Sequence, residues 1–229
     1  LYRGPETGQY GRMLTVAALC ARYSDDYSPL VRNRDRLNAV ARLLLSLREK
    51  AKQLPPDDPA YGIPAGWSEA DACLDPEPQR YMQPYFSNAA EMARGFRELG
   101  EAWQIAGRRN NDEKLVARGS ELLQEAEALA QDLRTALERS VRRDLQPPFL
   151  PAIAGVKEPF HVAVARVPLD PQFRSYRAFM EMLYSGLLSR EQVKMIVDYR
   201  AAHHDILLGI PTAYGYNTHE LVGFLSYGH

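Results

Sequence analysis

The sequence predicts an all-α fold built from antiparallel helical hairpins. Three observations carry that expectation. Apolar residues recur at helical spacing through most of the chain, helix-starting pairs stand at the heads of those stretches, and paired helices are separated by only a few residues.

The first helix is expected from about Gln9 to Tyr23, with Met13, Val16, Ala17 and Cys20 on its inner face, and Ser24-Asp25-Asp26 interrupts it. Ser28-Pro29 is a cap and first-turn pair for the second helix, whose stripe is Leu37, Val40, Leu44, Leu47, Ala51 and Leu54. These two make hairpin one. Asn88 with Glu91 reads as a capping box for the third helix, striped by Met92, Phe96, Leu99, Trp103 and Ala106. Asn110-Asn111-Asp112 turns the chain into the longest helix, with Leu115, Leu122, Ala126, Leu129, Leu133, Leu137 and Val141 inward, completing hairpin two. Its other face, Glu121, Glu125, Asp132, Arg139 and Arg143, reads as a solvated outer surface.

Asp170-Pro171 starts a fifth helix with Phe173, Tyr176, Met180 and Leu183 inward, ended by Gly186. Ser189 with Gln192 opens a sixth through Val193, Ile196 and Val197 to about His203, and Asn217 with Glu220 opens a seventh. Residues 1–229 read as a single helical domain. The chain opens at Leu1 and closes inside what reads as that seventh helix, so both ends read as cut.

Two connections are long. Pro55 to Phe86 contains seven prolines, and Gln146 to Asp170 is of similar length; both are too rich in large apolar and aromatic residues to be solvated linkers. Short turns within hairpins and long loops between them bring the long loops together at one rim. In the second loop Phe160, Val162 and Val164 alternate with His161, Ala163 and Ala165, which predicts one short strand in a small β ribbon.

Charge and composition narrow the partners. Twenty-eight basic residues against 29 acidic ones leave none of the positive excess that a general nucleic-acid or anionic-membrane binder needs. No apolar run reaches the length of a membrane span. Cys20 and Cys73 have no metal-ligand spacing around them and read as free thiols. The adjacent His203 and His204 diverge on a helix and no HExxH pair occurs, so no metal is expected; the Gly-rich segment ahead of the first helix lacks the Lys-Ser/Thr of a phosphate loop, so no nucleotide cofactor is expected either. No GxSxG marks a serine hydrolase.

The densest chemistry lies in the first long loop: Trp67, Glu69, Asp71, Tyr81, Tyr85 and Asn88 supply aromatic faces, carboxyl groups and an amide, the three kinds of group a carbohydrate site uses. Glu69 and Asp71 project to one side on extended backbone and diverge on a helix. Alternatively they are the first turn of a helix after Ser68, with Trp67 and Tyr85 sealing the core. A second constellation, Tyr214, Tyr216, Asn217 and His219, stands at the start of the seventh helix, and a third, Arg3 and Glu6, at the start of the first.

Helical hairpins with rim loops carrying Gly66-Trp67-Ser68-Glu69-Ala70-Asp71, Tyr81-Met82-Gln83-Pro84-Tyr85-Phe86-Ser87-Asn88 and Pro211-Thr212-Ala213-Tyr214-Gly215-Tyr216-Asn217 resemble the six-hairpin, (α/α)-toroid glycosidase superfamily. The resemblance implies a sugar ligand at one end of the array and hydrolysis by an acid/base carboxyl pair, with Glu69 as acid and Asp71 or Glu6 as base. It also implies Arg3, Trp67, Tyr81, Tyr85, Asn88, Tyr214, Tyr216, Asn217 and His219 as sugar contacts. A polysaccharide lyase on a related toroid is the rival, with Asn217 and His219 neutralising a uronate, Tyr216 taking the proton and Arg80 assisting; a glycan-binding or scaffold protein is the non-catalytic reading. About seven helices against about twelve for a complete toroid implies a partial ring, whose open apolar faces the remainder of a longer chain or a second copy would cover.

Overall fold

The computed structural model of the chain describes residues 6–67, 77–167, 170–203, 206–207 and 210–211. Among these, eight α-helices follow in order: α1 (Thr7–Ser24), α2 (Ser28–Arg32), α3 (Arg34–Ala51), α4 (Phe86–Asn110), α5 (Glu113–Ser140), α6 (Phe160–Arg166), α7 (Ser175–Ser185) and α8 (Arg190–Ala202). A two-residue strand β1 (Ile206–Leu207) pairs antiparallel with β2 (Ile210–Pro211). The all-α class is as the sequence predicts, and no helix among the described residues is long and apolar enough to cross a membrane.

Helix α4 is the axis of the molecule. Seventeen of its 25 residues are buried because α5, α1 and α7 all pack on it, which explains why it is apolar or small on nearly every side rather than on one stripe. Two of these packings are backbone against backbone. A Cβ built on Gly95 of α4 would stand 2.4 Å from the Gly11 carbonyl oxygen of α1, and one built on Gly119 of α5 would stand 2.6 Å from the Gly100 carbonyl oxygen of α4. Only glycine permits such an approach. Gly8 and Gly11 thus serve close packing from inside a helix.

Hairpin two forms as predicted. Asn111 adopts the left-handed conformation at the end of α4 (φ 53°), and the Asp112 carboxylate accepts the Leu115 N–H at 3.0 Å to cap α5. Leu115, Leu122, Ala126, Leu129, Leu133 and Leu137 are all buried. The capping box at Ser189 and Gln192 is present with both of its hydrogen bonds.

Hairpin one departs from expectation. Helix α1 turns its small face, Gly8, Gly11, Leu14, Ala18 and Ala21, inward against α4, and leaves the predicted inner row outside: Met13 is 44% and Val16 53% exposed. The glycines decide this, since the face that can approach closest wins more contact than the face with larger side chains. The second helix is split at Asn33, whose side chain donates to the Pro29 carbonyl, and Ser28 lies inside α2 rather than capping it; the Asp26 carboxylate accepts the Ser28 N–H instead. Helix α3 is held to α5 by Arg48, a fully buried guanidinium bonded to Asp132 at 2.6 Å and Glu125 at 3.1 Å. Those two carboxylates are thus not part of a purely solvated face.

Three further expectations change. Phe160–Arg166 is helix, not strand: Pro159 stands at its N-cap, Phe160 and Ala163 are buried at a spacing of three, and the alanines are strong helix formers. Helix α4 starts at Phe86 without a capping box, so Asn88 and Glu91 serve other helices. In α7 and α8 the buried residues include Ala178, Phe179, Met182, Met195, Ile196 and Tyr199; of the predicted inward residues Ile196 is buried, Leu183 half-buried and Val197 exposed, while the side chains of Phe173, Tyr176 and Met180 lie outside the described residues. The predicted seventh helix lies outside the described residues.

Candidate functional site

The segments that carry the predicted chemistry meet at one end of the bundle, around the first turn of α4. Gly66 bridges Gln83, so the chain on either side of the acidic segment is joined at its base, and Trp67 packs with Tyr81 and Met82 in a small apolar cluster of its own. The second long loop arrives at the same place: Tyr85 bridges Ile153, Phe86 N–H donates to the Ala152 carbonyl and Ala154 N–H to the Pro84 carbonyl. The Tyr85 hydroxyl donates to the Pro171 carbonyl at 2.8 Å, bringing in the head of α7. Helix α1 completes the rim, since the Thr7 hydroxyl donates to the Ala65 carbonyl and the Gly8 N–H donates to the Asn88 Oδ1 at 3.1 Å. Asn88 therefore caps α1 from across the interface, which its reading as a cap of its own helix had misassigned.

Of the predicted site residues, Glu6, Trp67, Tyr81, Tyr85 and Asn88 are brought together at this rim. All five are buried, Trp67 and Tyr85 completely. Trp67 and Tyr85 are sealed into the protein, as in the core-sealing alternative drawn from the sequence. Arg3, Glu69, Asp71, Tyr214, Tyr216, Asn217 and His219 lie outside the described residues.

Below the rim, at the junction of α1, α4 and α7, three further residues form a cluster that sequence inspection did not single out as a site. One Arg12 guanidinium nitrogen lies 2.7 Å from Glu181 and 3.6 Å from Glu91. Burial pushes the Glu91 carboxyl up to about 7; Arg12 opposes that, and the charge of Glu181 adds to it. Burial lowers the Arg12 pKa, but Glu181 and Glu91 more than offset this and hold the guanidinium above its usual range, with Glu6 contributing. Two carboxyl groups thus share one cation, and the more buried of them is half protonated near neutral pH. Because both oxygens contact the same nitrogen, they are closer together than the about 6.5–9.5 Å that inverting glycosidases keep between theirs. The signal for this cluster was Glu91 itself, explained away as a capping residue, and Arg12, three residues past Gln9 on the first helix.

The second loop ends in an aromatic nest. Phe149, Phe160 and Tyr199 pack together, His161 stacks on His203 with centroids 4.2 Å apart, and Tyr199 lies 4.3 Å from His203. Burial, and then the neighbouring His203, lower the His161 pKa. His203 thus serves packing between α6 and α8. Among the described residues no group of three His, Cys, Asp or Glu side chains is placed to hold a metal ion.

Comparison of the chain with models of protein families, with curated proteins and with solved structures finds no match.

Proposed function

We propose that the chain belongs to a carbohydrate-active hydrolase on a partial (α/α) toroid, with its reaction centre at the loop rim, Glu69 as general acid and Asp71 or Glu6 as base. The observation that carries this reading is the convergence at one rim. Glu6 is followed by Thr7, whose hydroxyl bonds the Ala65 carbonyl two residues before Trp67, so the Glu6 candidate and the root of the Glu69–Asp71 segment are neighbours although more than sixty residues apart in sequence. Hydrolysis of a glycosidic bond needs two carboxyl groups of different protonation state at one place, and a rim that gathers acidic segments from separate parts of the chain is how a helical array supplies them.

The test is a pooled-glycan assay that follows new reducing ends and absorbance at 235 nm together. Reducing ends without absorbance, abolished in Glu69→Gln with binding kept, are the expected result. Absorbance lost in Tyr216→Phe would replace hydrolysis by elimination. One observation favours the non-catalytic reading: Trp67, Tyr81, Tyr85 and Asn88 are buried and engaged within the protein, leaving no flat face of theirs for a sugar. Binding without turnover in the same assay would decide for it.

A further inference from the structure

The apolar row Met13, Val16, Ala17 and Cys20 is the most regular feature of the first helix, and the fold does not bury it. Of the seven large hydrophobic side chains that stand exposed among the described residues, Met13, Val16, Tyr23 and Leu43 lie on α1 and α3, and Leu54 just beyond α3. Two of them, Met13 and Val16, border one surface. A trough lies between α1 and α3, with Met13, Ala17 and Cys20 on one wall, Leu37 and Val40 on the other and Leu30 among its lining, and a second hollow that shares Met13 and Ala17 with it opens over Val16 and Tyr10 on the outer face of α1. Isolated exposed apolar residues are ordinary on a protein surface; a periodic row beside a trough is a docking face.

The charges around the trough select the partner. Between the helices its charged lining residue is Arg36, and no carboxylate lines it; Arg12, at the outer opening, is already bonded to Glu181 and Glu91, so the selecting charge is that of Arg36. Arg36 is exposed and has no carboxylate within ion-pair distance among the described residues, whereas Arg22, Arg109, Arg118, Arg134, Arg142, Arg143 and Arg166 are each paired with a carboxylate. Exposed Arg32 and Arg42 stand on α2 and α3, within a turn or two of Arg36 in sequence. A trough between two helices has the shape that a third helix fills by ridge-into-groove packing. Its apolar floor calls for a row at i, i+3, i+4 and i+7, and its arginine edge for carboxylates beside that row.

We propose that the trough between α1 and α3 is a docking site for an amphipathic helix whose apolar row is flanked by aspartate or glutamate. The probe is an 18-residue labelled peptide with leucine at i, i+3, i+4 and i+7 and glutamate flanks, compared by fluorescence anisotropy with a twin carrying lysine flanks. The expected result is saturable binding of the glutamate peptide, at least tenfold tighter than the lysine twin. Val16→Asp and Met13→Glu, both at exposed positions where the fold is indifferent, should each weaken it at least tenfold, with unchanged circular dichroism. Arg36→Glu should reverse the preference between the peptides. Equal binding of both peptides, no binding of either, or binding that Val16→Asp leaves intact would overturn the proposal. So would sedimentation showing a dimer that Val16→Asp dissociates, which would make a second copy the occupant, or binding to phosphatidylcholine/phosphatidylglycerol vesicles lost in the same variant, which would make it a lipid surface.

Discussion

The two helical pairs in the first 140 residues are alike in sequence and unlike in space. Helices α4 and α5 follow one another through a two-residue turn and lie in contact along their length, with Gly100 against Gly119 and a row of leucines beside them. Helices α1 and α3 also follow one another closely, yet α1 gives most of its contact to α4, and the space between α1 and α3 stays open as a trough. Short connections make helices neighbours; where a glycine lets one backbone reach another, that contact decides which neighbour is packed against.

The strongest way to break that contrast is to fill the α1–α4 contact. Gly95→Val places a branched side chain where even a Cβ would stand 2.4 Å from a carbonyl oxygen, and nothing at the far end of a flexible side chain is there to give way. A loss of about 3 kcal/mol or more is expected from denaturant unfolding. Val16→Ala, on the face of α1 turned away from α4, should leave stability within about 0.5 kcal/mol.

The same interface has an electrostatic signature. Glu91 binds its proton more tightly in the folded protein, about 7 against the ordinary 4.5, so between those values the folded state holds more protons than the unfolded one. Stability contributed by the protonated carboxyl is complete below 4.5 and falls away as pH rises through 7. Glu91→Gln removes the ionisation, and unfolding free energies followed from pH 4.5 to 8 should show the wild type losing roughly 3 kcal/mol relative to the variant. Parallel pH profiles would mean that Glu91 is ionised and paired at all of these values.

Helix α3, without a glycine contact, depends on Arg48 instead. Arg48→Met should cost about 2 kcal/mol, less than the about 3–5 kcal/mol of a fully buried broken pair, because the abandoned Glu125 and Asp132 are 35% and 26% exposed and recover water. A double-mutant cycle with Asp132→Asn isolates the bond; coupling near zero would leave α3 held by its leucines alone.

How much of this was legible follows from which rule each residue obeys. Local rules read well: the Asp112 cap, the Asn111 turn, the Ser189 box and the leucine row of α5 depend on residues a few positions apart. The facing of α1 did not, because periodicity counts apolar side chains and the winning face is made of glycine and alanine. Asn88 and Glu91 satisfied a local motif and were used across an interface instead, one capping α1 and the other meeting Arg12. The gathering of the loops at one rim was legible from loop lengths, whereas the burial of Trp67 and Tyr85 there was one of two readings the sequence left open, since a sugar platform and a core seal use the same aromatic residues.

The smallest effect tests the pair that does behave as its sequence reads. Asp112 accepts the Leu115 N–H at 3.0 Å at the head of a 28-residue helix, and its carboxylate also favours the positive end of the helix dipole. Asp112→Ala should cost about 1 kcal/mol, and Asp112→Asn, which keeps the acceptor but not the charge, a fraction of that. Arg34 lies 3.6 Å from the same carboxylate across the gap to α3, half exposed, so its share of the loss is a few tenths of a kcal/mol and vanishes in high salt. If the whole loss proved salt-dependent, Asp112 would be tying α3 to the α4–α5 turn rather than starting α5, and its pair with Arg34 would join Arg48 in holding α3 to the second pair.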